Sequence, residues 1–456
     1  MNQFIEKIYY NCPVALQNFA IGLLGYKLAK ERFQPEGREF LNILNATQKY
    51  SKEEIKGYQE KEFIKLAQHA INNTLYYKAW AKKEKISSAD ISTIEDLNLF
   101  PVIEKQIIRE NPELFRATNI KSQFILNTSG TTGTPLNIYT DKASRSKHYA
   151  FFTRLRAKYG IHKTSKRCTL FGRIIMQADQ KKPPFWRYDW YQHNLLMSSY
   201  HLKESHLKDY YNKLVSYVPE EIFTYPSSIT PIAEYIVKNS LAPIKLKLII
   251  TTAENLSNYQ RNIISKAFNS PIVNQYGCTE MAFFMKDNGN GMLVEPEHGI
   301  IEVRDHNGNV NKNGEGELIS TGLINWSMPV IRYAVGDDIE LTECHDSGCQ
   351  QLSSLKGRVD DVLYRHDGTP VGRLDPIFKS GKAINMAQIV QQQDSSIILK
   401  LVPSNDYQEQ YGNDLKIELH KRFGENVEVT VELLDTIPKQ KNGKFRPVIS
   451  EFSPKK

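Results

Sequence analysis

Ile222-Phe223-Thr224-Tyr225, Leu246 to Thr251 and Pro271 to Tyr276 are three short runs rich in β-branched and aromatic residues. Helical spacing follows the first from Thr230 to Asn239 and the second around 257–268. Strand, helix, strand in this rhythm predicts βαβ units and a mainly parallel sheet. The third run continues into Gln275-Tyr276-Gly277-Cys278-Thr279-Glu280. That places a polar turn at the C-terminal edge of the sheet, where α/β folds bind ligands.

Upstream, residues 52–82 carry helical spacing, with Ile55, Tyr58, Phe63, Leu66, Ala70 and Ile71 on one side. Residues 141–159 predict another helix, with Gly160 as its C-cap. Just after the apolar run Phe124-Ile125-Leu126 comes Thr128-Ser129-Gly130-Thr131-Thr132-Gly133-Thr134-Pro135. Two glycines let this backbone fold close around a ligand, and its N–H groups and hydroxyls can converge on phosphate oxygens. It lacks the Gly-Lys-Ser/Thr ending of a Walker loop, and taken alone it also fits a solvated turn.

Downstream, from about 292 to 342, short strands alternate with the turn signals Asn307-Gly308-Asn309 and Asn313-Gly314-Glu315-Gly316. Asp305 to Gly314 superficially resembles a calcium loop, but Val310 occupies the required glycine position, which favours hairpin turns. A last region has its own small α/β pattern, with strands at 397–402 and 427–434 and a helix at 413–423. The expected organisation is α/β: a large N-terminal domain, 1–357, with parallel and mixed sheets, helices and a β-rich subdomain. A small α+β domain, 358–456, follows it.

The 456 residues are 40% hydrophobic and 24% charged, enough to build a core without disulfides. A net charge of +8 over this length suits anionic ligands but does not indicate nucleic acid. Cys12, Cys168, Cys278, Cys344 and Cys349 are too few for a disulfide framework, so a reducing cytoplasm is expected. Asn2, Gln3 and Glu6 interrupt any signal peptide. The apolar stretch Pro13 to Ala29 contains Gln17, Asn18 and Lys27, too polar and short to span a bilayer. A helix packed on the N-terminal domain is expected there, with a peripheral membrane contact as the alternative.

Three more segments carry chemistry-bearing residues. They are Val330-Ile331-Arg332-Tyr333-Ala334-Val335-Gly336-Asp337, Lys356-Gly357-Arg358-Val359-Asp360-Asp361 and Ile437-Pro438-Lys439-Gln440-Lys441-Asn442-Gly443-Lys444. With the Thr128–Pro135 loop and the Gln275–Glu280 turn, they stand in the order and spacing of the adenylate-forming superfamily. The resemblance covers nearly the whole chain. It is closest to the phenylacetate–CoA ligase branch and its CapK-type members, associated with capsular or surface polysaccharide genes. Pro183-Pro184-Phe185-Trp186, Ser198-Ser199-Tyr200-His201, Tyr225-Pro226-Ser227-Ser228 and Gly443-Lys444-Phe445-Arg446 carry that closer match.

The resemblance implies a ligase that uses ATP and Mg²⁺ to turn a small carboxylic acid into an acyl-adenylate. Two anions must then meet, so cations and oriented donors are needed where charge develops. By resemblance, Thr128, Ser129, Gly130, Thr131, Thr132 and Gly133 cradle the β- and γ-phosphates. Glu280 is a hard oxygen ligand for Mg²⁺, and Thr279 approaches the α-phosphate. Tyr276 and Gly277 flank the adenine, Asp337 accepts from the ribose hydroxyls, and Arg358 reaches the ribose or phosphates. Lys444 is the catalytic cation, although a lysine in so polar a tail is ordinarily just solvated. Asp360 is the hinge about which a mobile C-terminal lid rotates.

The acid pocket is expected from Tyr200, His201, Tyr225, Pro226 and Ser227, though His201 fits a satisfied core histidine equally well. The aromatic run Phe185 to Tyr191 fits either an apolar pocket or a packed surface. Departures from the family pattern are equally informative. Thr134 stands where many relatives carry lysine, and Tyr364 to Pro370 replaces the usual glycine-centred loop serving thiolation. Cys344, His345 and Cys349 sit where some relatives hold zinc, with Cys278 the distant fourth candidate. The resemblance implies CoA or a carrier-protein phosphopantetheine as acceptor, while the altered Tyr364 to Pro370 loop speaks against CoA and keeps an amino sugar as the rival. A non-catalytic nucleotide-binding relative is disfavoured, because Glu280, Asp337 and Lys444 are all present.

Overall fold

The computed structural model describes residues 8–127, 136–173, 175–177, 180–254, 256–289, 291–343, 350–355, 363–365, 370–371, 383–404, 406–424, 426–437 and 448–452. Among them, thirteen strands form one sheet. Its parallel part runs Asn194–Ser198, Arg167–Phe171, Glu221–Thr224, Leu248–Thr252 and Ile272–Gly277. Leu248, Ile249 and Ile250 are all fully buried, as expected of a parallel strand covered on both faces. The crossover helices Pro226–Lys238 and Asn258–Phe268 contribute Ile229, Ile232, Ile236, Ile264 and Phe268 to the same core.

Past Ile272–Gly277 the sheet turns antiparallel. It continues through Phe284–Asp287, Met292–Val294, Gln350–Leu355, Tyr333–Glu343, Gly314–Gly322 and Gly299–Arg304 to Val310–Asn311. This is the region of expected hairpins. Asp305 Oδ1 accepts the backbone N–H groups of Asn307 and Asn309, each at 2.9 Å, so the loop closes on itself as a turn. The α/β class with a mixed sheet therefore holds. Among the strands that were not legible in the sequence are Arg167–Phe171, Trp186–Asp189 and Asn194–Ser198 at the far end of this sheet.

Helix Glu409–Phe423 starts four residues before the expected 413–423, and two further helices differ from expectation for identifiable reasons. The pattern over 52–82 is broken into Lys52–Asn73 and Leu75–Glu84. Thr74 between them is extended, and its Oγ1 accepts from Tyr77 N, starting a new helix instead of continuing the old one. The helix expected from Thr230 begins four residues earlier, because Pro226 presets φ at the first helical position and has no N–H to satisfy. Lys142–Lys158 follows expectation and is anchored to the sheet by a buried pair. Arg156 donates from Nε and Nη2 to the two oxygens of Glu221, both at 2.7 Å. Removing one partner would strand a buried charge at a cost of about 3–5 kcal/mol.

The C-terminal strands form a separate four-stranded sheet in the order Val429–Leu433, Ile397–Pro403, Ile384–Gln391, Val448–Ser450. Helix Glu409–Phe423 packs on it through Leu415, Leu419 and Phe423, giving this region its own core. Among the described residues, no helix is long and apolar enough to cross a membrane.

One core feature predicts a pH response. His148 Nδ1 and His298 Nε2 lie 3.1 Å apart; Phe284 packs against both rings, Phe152 against His148 and Phe151 against His298. Burial holds His148 down at about 4, helped by Arg145, and holds His298 well below the usual imidazole range. Both folded-state values are depressed, so the unfolded chain takes up protons first as pH falls. Stability should therefore be lost progressively below pH ~6.5, by about 2 kcal/mol at pH 5 from His148 alone, with His298 acting in the same direction. Urea unfolding at pH 7 and pH 5 checks this. A His148→Gln variant should show a shallower pH dependence than the parent.

Candidate active site

Strand Ile272–Gly277 delivers the turn Cys278-Thr279-Glu280 at its C-terminal end. Three strands separate it from strand Tyr333–Glu343 in the sheet order, yet two side-chain bonds join the two segments. Tyr276 OH donates to Asp337 Oδ2 at 2.6 Å, and Tyr333 OH donates to Glu280 Oε1 at 2.6 Å. The sheet must curl to make both contacts. Three expected site residues, Tyr276, Glu280 and Asp337, are thereby brought together.

Glu280 is buried, and Lys105 Nζ lies 3.7 Å from its Oε1. Lys105 opens the short helix Lys105–Glu110, and Ile103 just before it bridges to Tyr333. The exchanged bonds are Ile103 N–H to Arg332 O at 2.9 Å and Ala334 N–H to Ile103 O at 3.0 Å. Nothing in the sequence singled out Lys105, because its neighbours form no motif. Tyr333 stood inside a quoted motif but carried no assigned role.

The backbone around these groups is held in place. Met281 and Arg332, each next to a site residue, have φ of +54° and +52°, which costs a non-glycine residue about 1–2 kcal/mol. Arg332 is fixed by Glu302, which accepts from Nε at 3.0 Å and Nη2 at 2.7 Å, and by Asn98 Oδ1 at 2.7 Å. At Gly277 a Cβ would fall 2.7 Å from Gln275 Nε2 and 3.3 Å from Phe283 O, so a side chain there would have to displace the Gln275 amide. Burial and the Glu280 carboxylate raise the Cys278 thiol well above its ordinary value. A neutral thiol is a poor nucleophile and a poor metal ligand.

The acid-pocket candidates divide. Tyr200 OH donates to Gly172 O at 3.0 Å, and Tyr225 stacks on Phe171 at 4.7 Å, both beside Gly172. Pro226 starts the helix that Tyr225 caps. Ser227 donates from N and Oγ to Glu254, at 2.9 and 2.8 Å, so that carboxylate sits at the helix N-terminus where negative charge is favoured. His201 is buried behind them, with Nδ1 2.8 Å from Ser198 Oγ, Nε2 3.1 Å from Gln177 O and its ring against Phe185. Both nitrogens are engaged, as in a packed core histidine. The Arg422 guanidinium, from the C-terminal helix, lies 5.8 Å over the Tyr200 ring.

Thr128, Ser129, Gly130, Thr131, Thr132, Gly133, Arg358, Asp360, Lys444, Cys344, His345 and Cys349 lie outside the described residues. Among the described residues, no three His, Cys, Asp or Glu side chains gather to hold a metal ion. Magnesium fits such a site when it arrives on nucleotide phosphates and takes one protein carboxylate, for which Glu280 is the buried candidate.

The description "CapK C-terminal domain" matches residues 363–451. Protein CapK of Staphylococcus aureus is 32% identical over 462 residues, covering 98% of this chain and all of that protein. Phenylacetate-coenzyme A ligase of Aromatoleum evansii is 24% identical, over 70% of this chain and 74% of the ligase. The fold is shared with crystalline 2-hydroxyisobutyryl-CoA ligase in complex with 2-HIB-AMP and CoA. That match has a TM-score of 0.58 at 17% identity and covers 89% of this chain and 91% of that one. A curled mixed sheet with its polar turn facing Asp337, and full-length similarity to CapK, lead to one conclusion. The chain belongs to the CapK family, in the phenylacetate–CoA ligase-like branch of the adenylate-forming superfamily.

Proposed function

We propose that this protein activates a carboxylic acid as its acyl-adenylate, using ATP and magnesium and releasing pyrophosphate. The observation that carries the reading is the pair of bonds joining Tyr276 to Asp337 and Tyr333 to Glu280. Tyr276 holds the Asp337 carboxylate beside its own ring, so one ligand could stack on the tyrosine and hydrogen-bond the acid. A nucleoside has that shape, with a flat base and paired ribose hydroxyls. Glu280 lies on the next rung, where a magnesium ion would supply charge neutralisation for the phosphates. Lys105 Nζ, 3.7 Å away, and the Tyr333 hydroxyl fix the orientation of this carboxylate. Tyr200, Tyr225 and Phe171 form an aromatic wall suited to an acid with an apolar body. ATP–pyrophosphate exchange across a panel of carboxylic and amino acids tests the reading. Exchange stimulated by none of them would count against it.

We further propose that the acyl group passes to a thiol, CoA or a carrier-protein phosphopantetheine, after the 358–456 region rotates about Asp360. Similarity to a phenylacetate–CoA ligase over 70% of this chain supports a thiol acceptor. Proline at position 360 fixes φ and should freeze the rotation. Asp360→Pro is expected to keep pyrophosphate exchange within about 3-fold and lose thiol acylation by at least ~10²-fold. Both reactions are measured on one preparation. Equal loss of the two in folded protein would argue against a hinge there. If wild type acylates an amino sugar but no thiol, the amine-acceptor reading replaces this one.

A further inference from the structure

The helix Val14–Arg32 buries Gln17, Gly22, Gly25 and Ala29 together with the single large apolar residue Ile21, and leaves most of its other large apolar residues toward solvent. Gln17 is buried and accepts from Arg187 Nε at 2.5 Å, and Asn18 accepts from the Tyr188 backbone N–H at 2.9 Å. Gly22 and Gly25 lie so close to the sheet edge that a Cβ would fall 1.8 Å from Trp190 Nε1 and 2.1 Å from Asp189 Oδ2. Leu16, Phe19, Leu23 and Leu24 face outward, between 47% and 56% exposed. Leu16, Phe19 and Leu23 share one stripe, spaced three and four residues apart. Trp190, 41% exposed, stacks 6.4 Å from Phe19 and widens the stripe. Isolated exposed apolar residues are ordinary, but a contiguous stripe marks an interaction surface.

Charge and aromatic content decide what covers it. The fully exposed charges on this helix are Lys27 and Lys30, both positive. Its one acid, Glu31, is half-buried, 3.4 Å from Arg145. A cavity of about 310 Å³ adjoins the helix, lined by Val14, Trp186, Tyr188, Lys213 and Tyr217 among others. Lys213 Nζ stands 5.7 Å from the centre of both the Trp186 and the Tyr217 rings. Tryptophan and tyrosine rings favour the layer between lipid tails and water. Lysines there keep their stems apolar and their charge among phosphates. An apolar protein partner would need the stripe but not the cations. An anionic lipid surface uses both.

We propose that this face docks the protein on an anionic phospholipid bilayer. Leu16, Phe19 and Leu23 enter the headgroup layer, and Lys27 and Lys30 meet the phosphates. The full chain is sedimented with unilamellar vesicles of phosphatidylcholine, with and without phosphatidylglycerol. Binding should require phosphatidylglycerol and weaken as salt rises. Joint Leu16→Asp, Phe19→Asp and Leu23→Asp substitutions should lower it by at least ~10-fold. Joint Lys27→Glu and Lys30→Glu substitutions should lower it several-fold with the melting temperature unchanged. Wild type that ignores phosphatidylglycerol vesicles overturns the proposal. So does self-association that the aspartates abolish without any vesicle binding, which would assign the face to a second copy. Should the triple variant not fold, the double lysine variant decides, and unchanged vesicle binding overturns the idea.

Discussion

Lys444→Ala is expected to lower ATP–pyrophosphate exchange by at least ~10²-fold. The reaction brings a carboxylate against the α-phosphate of ATP, so negative charge accumulates on both sides of the forming bond. A lysine bridging the two groups interacts most strongly when they are closest, which is the transition state and not the ground state. Its loss should therefore fall mainly on the rate, with little effect on the KM for ATP. The assignment rests on the spacing Pro438-Lys439-Gln440-Lys441-Asn442-Gly443-Lys444, which itself supplies the control. Lys439→Ala and Lys441→Ala remove the same charge from the same segment and should cost no more than a few-fold. Thermal stability should hardly change in any of the three. Three equal losses would reduce the effect to general electrostatics, and near-normal exchange in Lys444→Ala would remove the residue from the mechanism.

The second large effect is expected at Glu280. Glu280→Gln keeps the shape and the Tyr333 hydrogen bond but deletes the charge beside Lys105. Exchange should fall by ~10²-fold or more, and the magnesium needed for half-maximal activity should rise. Tyr333→Phe is the matched comparison, because it keeps the carboxylate charge and removes only its brace. That variant should lose several-fold with an unaltered magnesium requirement. If Glu280→Gln titrates with magnesium like wild type, the carboxylate is structural, and its pairing with Lys105 is the whole of its role.

Much of this was readable before any coordinates. The runs at 222–225, 246–251 and 271–276 predicted a parallel sheet, because strands separated by helical segments at that spacing make βαβ units. They recur as Glu221–Thr224, Leu248–Thr252 and Ile272–Gly277. The strand Trp186–Asp189 was hidden by what it buries. Arg187 and Asp189 are buried there, satisfied by Gln17, by backbone carbonyls and by Gln192, while Trp186 and Tyr188 are only half-buried, so the alternation runs opposite to the usual apolar-inward pattern. Thr74 was equally silent, since a cap that interrupts a helical pattern leaves the apolar spacing on either side intact.

The sequence by itself determined the α/β class, the βαβ rhythm and the order of the polar motifs. Each of these depends on local residue type and on spacing along the chain. Only the tertiary structure decided which polar residues meet. Tyr276 reaches Asp337, and Tyr333 reaches Glu280, because the sheet curls across three intervening strands. Curl is the sum of many small twists, and no single residue encodes it. Lys105 joins the site only through the bridge from Ile103 to Tyr333, a contact between segments more than two hundred residues apart. The outward stripe of Leu16, Phe19 and Leu23 belongs with these. The sequence shows an apolar helix, but only the close approach at Gly22 and Gly25 decides which side of it faces water.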